Sequence, residues 1–232
     1  MFLFYKLVLA HLVADFILQF EELYQLKLKS KLGQVFHALI HGVVSLILFI
    51  PYLPVSLFPW IFIAVIVTIH YFQDLLKYRL RDIYPKDNFY FFTLDQIVHI
   101  LFLATLLLFP FSKAAPAFTR FPGAQFYWSD GWTLGPIIFL LSTFGGSYFL
   151  HAFRLSFFES TRPDHFITNF EILHGIVERS LITGIFLFYP NCVIAYPLVG
   201  LLRLPFKKLR SLTDFLLSFL YGAAVGIFFR LW

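Results

Sequence analysis

Cysteine is all but missing from this 232-residue chain, with Cys192 the single one. That excludes an internal disulfide framework and a cysteine-type zinc site. Charge is scarce as well. Asp, Glu, Lys and Arg together make up 13% of the residues, against ~25% in soluble domains. So few charges cannot give a globular surface a water-compatible skin, which leaves little room for any soluble domain. Internal repeats and low-complexity segments are also lacking, so repeat architectures are set aside. What is present is apolar: AVILMFWYC residues reach 59%, Phe alone contributes 33, and the mean hydropathy is +0.79. The expected fold class is all-α, a polytopic transmembrane helical bundle forming a single membrane domain. The net charge of +5 reports loop orientation in such a protein rather than nucleic-acid binding.

A spanning helix needs ~20 mainly apolar residues. About eight such stretches are expected, near 2–20, 34–51, 59–78, 91–110, 133–154, 170–189, 192–204 and 212–231. The seventh is short and reads as re-entrant or tilted. The first is not a signal peptide, since His11 and Asp15 interrupt it and no A-x-A site follows. Basic loops alternate with non-basic ones. Lys27, Lys29 and Lys31 fall in the first loop, Arg79, Arg81 and Lys86 in the third, Arg154 and Arg162 in the fifth, and Arg203, Lys207, Lys208 and Arg210 in the seventh. The positive-inside rule makes these loops cytoplasmic and puts both termini outside a cell membrane. Residues 21–33 read as an interfacial amphipathic helix, lysines on one side and leucines on the other, ended by Gly33. Residues 114–132 read as an external loop with Trp128 and Trp132 as interfacial anchors.

The informative residues are the polar ones inside apolar runs. An ionisable group in hydrocarbon costs at least ~2.5–3.5 kcal/mol. The first four spans each carry two such groups at i and i+4: His11 with Asp15, His37 with His41, His70 with Asp74, and Asp95 with His99. That spacing puts both side chains on one helix face, ~6 Å apart along the axis. Alternating span direction brings all four pairs to one depth, in the cytoplasmic half. Five imidazoles and three carboxylates at one level form a metal-ligand inventory. Eight candidates exceed the needs of one zinc ion and would suffice for a dinuclear site. The competing reading is a buried hydrogen-bonded network without metal. Gln19, Gln73 and Gln96 flank the pairs. Lys77, one turn beyond Asp74, either counters an anionic substrate group or snorkels to the interface.

A second group opens the sixth span: Glu171, His174, Glu178 and Arg179, preceded by Arg154, Glu159, Arg162 and Asp164. It reads either as a salt-bridged helix start or as a functional cluster. In the functional reading Glu178 is a general base or extra ligand, and Arg162 or Arg179 holds a phosphate. Asp214 reads as a helix cap, and His151 and His165 as structural.

The run His11-Leu-Val-Ala-Asp15-Phe16-Ile-Leu-Gln19, then His37 with His41, His70 with Asp74 and Lys77, and Asp95-Gln96-Ile-Val-His99 resembles a bacterial membrane family. That family is catalogued as domain of unknown function 3307. The likeness covers about residues 1–110 and carries no activity with it. It implies that these residues act as one unit in a prokaryotic cell membrane, with residues 111–232 as additional membrane helices. The chemistry is also similar to that of intramembrane zinc hydrolases such as the alkaline ceramidase and adiponectin-receptor-like group. Their spacing differs, and no residue is carried over.

Three functions follow as expectations. The first is a metal-dependent hydrolase acting on a lipid or amphiphilic substrate at the cytoplasmic side. Its cofactor is one or two divalent ions, Zn before Fe or Mn. Its ligands are His11, His37, His41, His70, Asp74, Asp95 and His99. Asp15, Asp74, Asp95 and Glu178 serve proton transfer, and Lys77, Arg162 and Arg179 the substrate head group. The second is an iron-dependent lipid oxidase or desaturase. The third is a metal-ion or proton transporter, which the bare outer halves of spans two to four argue against.

Overall fold

The computed structural model describes residues 2–83, 88–157, 169–192, 195–201 and 212–231. Among them every regular element is helical, with no strand. Helices suit so apolar a chain, since backbone polar groups unsatisfied in an apolar medium cost several kcal/mol each and a helix pairs its own. Five stretches are long and apolar enough to cross a membrane: Lys31–Tyr52, Phe58–Leu80, Phe89–Leu108, Asp130–Phe157 and Asp214–Leu231. A sixth arises if Phe2–Ile17 and Glu21–Lys29, bent by 88°, are taken as one. The expected count of eight is therefore not reached among the described residues. The helix over 169–188 carries Glu171, Glu178 and Arg179, which set it apart from the five. The expected seventh span appears only as a six-residue helix, Ala195–Gly200, with residues 202–211 outside the described residues.

The chain divides into two compact units, residues 1–137 and 138–232. In the first, α1 (Phe2–Leu12) runs on through a π turn, Val13–Ile17, before the chain bends into α2 (Glu21–Lys29). Ser30 breaks that helix in extended backbone, and its hydroxyl accepts from Gly33 N at 3.1 Å to cap α3 (Lys31–Phe49). Gly33 thus does not end the amphipathic helix, as expected from sequence. It lies inside α3, where the α2 backbone crosses so closely that a Cβ would stand 2.4 Å from the Leu26 carbonyl carbon. α4 (Phe58–Ile83) and α5 (Asn88–Ala104) follow. α1 packs on α3 and α5, and α4 packs on the same two, closing a ring of four.

Burial in α3 is inside out. Gly33, Gln34, His37, Ala38, His41, Gly42 and Ser45 face inward, while Leu32, Val35, Phe36, Leu39, Val43 and Ile47 are exposed. Small and polar residues inside and large apolar ones outside are what helix packing in lipid favours. One end of the ring is apolar, built from Leu3, Leu7, Phe49, Phe62, Ile66, Leu103 and Leu106. The same helices carry the His and Asp pairs towards the other end.

The segment after α5 closes the apolar end rather than looping free. Within it α6 (Ala124–Tyr127) places Tyr127, whose hydroxyl donates to Leu48 O at 2.6 Å. Lys6 is buried there, donating to Tyr127 O and Thr133 Oγ1 at 2.8 Å each. Trp128 packs on the Phe2 ring, whereas Trp132 stays exposed. α7 (Asp130–Leu140) contains the division between the units.

The second unit holds a π turn, Leu141–Gly145, then α8 (Gly146–Phe157), α9 (Asn169–Phe188), α10 (Ala195–Gly200) and α11 (Leu212–Leu231). A π turn loosens the regular backbone ladder, and its carbonyls are met by side chains. Tyr221 donates to Leu141 O at 3.0 Å, and Arg179 donates to Ser142 O at 2.8 Å and Thr143 O at 2.9 Å. Arg179 also donates to the Ser147 and Ser218 hydroxyls.

Candidate metal centre

The ring of α1, α3, α4 and α5 turns all eight paired residues inward. All eight are buried. Asp15 stands in the π turn that ends α1, where Leu18 N reaches back to Val13 O at 3.0 Å. Such a turn re-aims side chains relative to a regular helix and recurs at functional sites. The His11–Asp15 spacing alone gave no sign of it.

Asp15 Oδ1 lies 3.0 Å from His37 Nε2 and 3.0 Å from His41 Nε2, and those two nitrogens are 3.2 Å apart. With one ring nitrogen of His70 the donor atoms all fall within 4.8 Å of one another. Zinc bonds of ~2.0–2.1 Å in a tetrahedron separate neighbouring ligand atoms by ~3.3 Å. The three measured separations match one face of such a tetrahedron. Three imidazoles and one carboxylate are also a donor set that suits zinc. His11 and His99 complete the wall. The His99 ring lies 5.0 Å from that of His11 and 4.4 Å from that of His70.

The other two carboxylates lie beside the same histidines. Asp74 Oδ2 is 2.8 Å from Lys27 Nζ, with His70 Nε2 at 3.8 Å and His37 Nε2 at 3.9 Å. Asp95 Oδ2 accepts from Lys77 at 2.6 Å, and its main-chain oxygen accepts from His99 Nδ1, also at 2.6 Å. Of these contacts the one from His99 Nδ1 to the Asp95 main-chain oxygen is a hydrogen bond, the kind of partner that orients a metal-binding imidazole. The charges are not evenly met. Asp74 and Asp95 each have a lysine. Among the described residues Asp15 is met only by imidazoles and by Gln96, whose amide donates to Oδ2 at 3.2 Å. A buried carboxylate without a full positive partner is costly, and it is the one at the centre of the histidines.

Residues 3–121 match the model of a family described as a protein of unknown function, DUF3307. The chain belongs to this family. The DUF3307 segment contains all eight paired residues together with Lys27, Lys77 and Gln96. It stops short of α7 and of the whole second unit. Comparison with curated proteins and with solved structures returns no match.

The structure therefore gathers His11, Asp15, His37, His41, His70, Asp74, Asp95 and His99 in one place. Lys77 joins them through Asp95 and keeps a side chain 27% exposed. Glu178 and Arg179 belong to the second unit. There Glu178 is fully buried with His174 Nδ1 at 3.8 Å, and Arg179 binds the π turn. Arg162, with Glu159, Asp164 and His165, lies outside the described residues, as does the side chain of Glu171.

Lys27 is the site residue that sequence reasoning missed. It is buried and donates to Gln19 Oε1 at 2.7 Å besides pairing with Asp74. The expected lysine face of α2 is thus split, with Lys27 inward and Lys29 outward. The one sequence signal was spacing, since Lys27 lies one helical turn after the apolar Leu23, which the structure buries.

Breaking a buried ion pair by removing one partner costs about 3–5 kcal/mol. Lys27→Met and Asp74→Asn should each lower the thermal transition in detergent strongly. The double variant should be less damaged than the sum of the two. Additive losses would mean that the pair is not coupled.

Proposed function

We propose that this protein is a membrane-embedded, metal-dependent hydrolase of a lipid or amphiphilic substrate, working at the cytoplasmic face. The observation that carries the reading is the constellation of Asp15, His37, His41 and His70, with donor atoms within 4.8 Å of one another inside a ring of apolar helices. A divalent ion held there, zinc before iron or manganese, would polarise a carbonyl or phosphoryl group and lower the pKa of water towards ~7. The chain's own residues supply the rest. The Asp95 main chain fixes His99, and Asp74, held by Lys27, and Asp95, held by Lys77, are placed to take or return a proton. Lys77, on the rim, offers its charge to an anionic head group. The exposed apolar flanks of α3 to α5 suit a substrate whose tail stays in lipid.

Transport of a metal ion or proton is the weaker reading. A pathway needs polar groups through the whole thickness, and buried Leu3, Leu7, Phe49, Phe62, Leu103 and Leu106 seal the other end of the ring. Nothing in the donor set singles out the oxidase alternative, for which iron would be required.

The catalytic test uses protein reconstituted in liposomes with fluorescent amphiphiles whose scissile bond is an ester, amide or phosphodiester. At least one should turn over. Chelation should abolish that turnover and Zn2+ restore it. His37→Ala with His41→Ala should abolish it, and Asp74→Asn should lower it by ~10–100-fold. Turnover indifferent to chelation, or labelled metal entering the vesicles without hydrolysis, would overturn the reading.

The orientation rests on the lysine- and arginine-rich loops, which place the His/Asp end of the ring in the cytoplasm. Crossings by α9 and by residues 192–204 would bring the total to eight and keep both termini outside. In a Cys192→Ser background, Lys113→Cys should react with an impermeant maleimide on intact cells, and Arg79→Cys only after permeabilisation. The reverse pattern would turn the site outward.

A further inference from the structure

Among the described residues four buried imidazole nitrogens of the cluster stay without a partner, His37 Nδ1 and three Nε2 atoms. His11 Nε2, His70 Nε2 and His99 Nε2 make no hydrogen bond, and their residues are 3%, 3% and 4% exposed. A buried polar atom without a partner costs ~1–3 kcal/mol, and here three stand together. They belong to the residues around a cavity of about 10 Å3, whose wall also includes His41, Gln73 and Ser45. That is room for about one water or ion.

The state of His99 can be read from its partners. Its Nδ1 stands 2.6 Å from Asp95 O and 3.4 Å from Asp95 Oδ1, both acceptors. Nδ1 therefore carries the hydrogen, and in the neutral ring Nε2 presents a lone pair. A lone pair turned into a wall of other imidazoles is a ligand, not a donor. Asp15 supplies the link between the two halves of the cluster. Its Oδ1 faces His37 and His41, whereas its Oδ2 lies 3.4 Å from His11 Nε2.

We infer that the centre holds two divalent cations rather than one. This rests on the metal-site reading above and deepens it. The first position is formed by Asp15 Oδ1, His37 Nε2 and His41 Nε2. The second would draw on His11 Nε2, 3.4 Å from Asp15 Oδ2, and on His99 Nε2, whose ring lies 5.0 Å from that of His11, beside the cavity. Asp15 bridges them, and His70 stands between, its ring 3.7 Å from that of His41 and 4.4 Å from that of His99. Paired ions ~3.5–4 Å apart clamp the attacking and leaving oxygens of a displacement. A carboxylate sharing its two oxygens between positions is the geometry such a pair requires. It also gives Asp15 the positive partners that the chain withholds from it.

The test is metal content and spectroscopy of the full chain in detergent. After equilibration with Zn2+ and desalting, the wild-type protein should hold two ions per chain. His99→Gln should hold one. The Mn2+-loaded wild type should show the electron-paramagnetic signature of a coupled pair, and His99→Gln that of isolated Mn2+. One ion in the wild type overturns the second position and leaves the first standing. No ion in the wild type removes both. Two ions in His99→Gln, or none, contradicts the assignment of His99 to a separable second position. The wild-type stoichiometry and coupling do not depend on how well any variant folds.

Discussion

The physical constraint behind this structure is the cost of keeping a carboxylate among apolar helices. Each of the three aspartates in the ring must find positive charge or hydrogen-bond donors inside the protein. Asp74 takes Lys27 from α2 and Asp95 takes Lys77 from α4. Asp15 takes neither, and is surrounded instead by His11, His37 and His41. The helices converge at this point, and the lysines hold the outer carboxylates. The bend after α1, the break at Ser30 and the close crossing at Gly33 all serve to bring Lys27 in over the cluster.

Both units use the same backbone device. In each, a π turn stands beside a buried charged residue, ending α1 in the first unit and leading into α8 in the second. In the first unit the turn over Val13–Ile17 carries Asp15 itself. In the second the turn over Leu141–Gly145 offers carbonyls to Arg179 and Tyr221. A loosened turn in lipid needs substitute donors or a polar neighbour, and both turns have them. The outcomes differ. Arg179 donates to backbone and hydroxyl groups of its own unit. The imidazoles of the first unit retain nitrogen atoms that no other described residue satisfies.

Much of the site was legible in the sequence because ionisable residues in apolar runs are costly and so carry information. The four i, i+4 pairs and their convergence came from that principle, and the helical class from the apolar composition. What escaped was set by tertiary contact. The π turn at Asp15 leaves no mark in the spacing of His11 and Asp15. Lys27 looked like one of three surface lysines, and only its register with Leu23 betrayed an inward direction. Gly33 looked like a terminator because glycine often ends helices, whereas the crossing of α2 explains it better. The span count stands at five or six among the described residues, and the expected seventh stretch, residues 192–204, lies partly outside them. In the second unit the sequence showed a charged helix start without showing that Arg179 turns inward.

The most direct measurement of the central claim is X-ray absorption at the zinc edge on zinc-loaded protein. A first shell of nitrogen and oxygen at ~2.0–2.1 Å, with the outer-shell scattering of several imidazoles, is the expected result. A spectrum of hydrated zinc without imidazole scattering, or protein that retains no zinc after desalting, would contradict it.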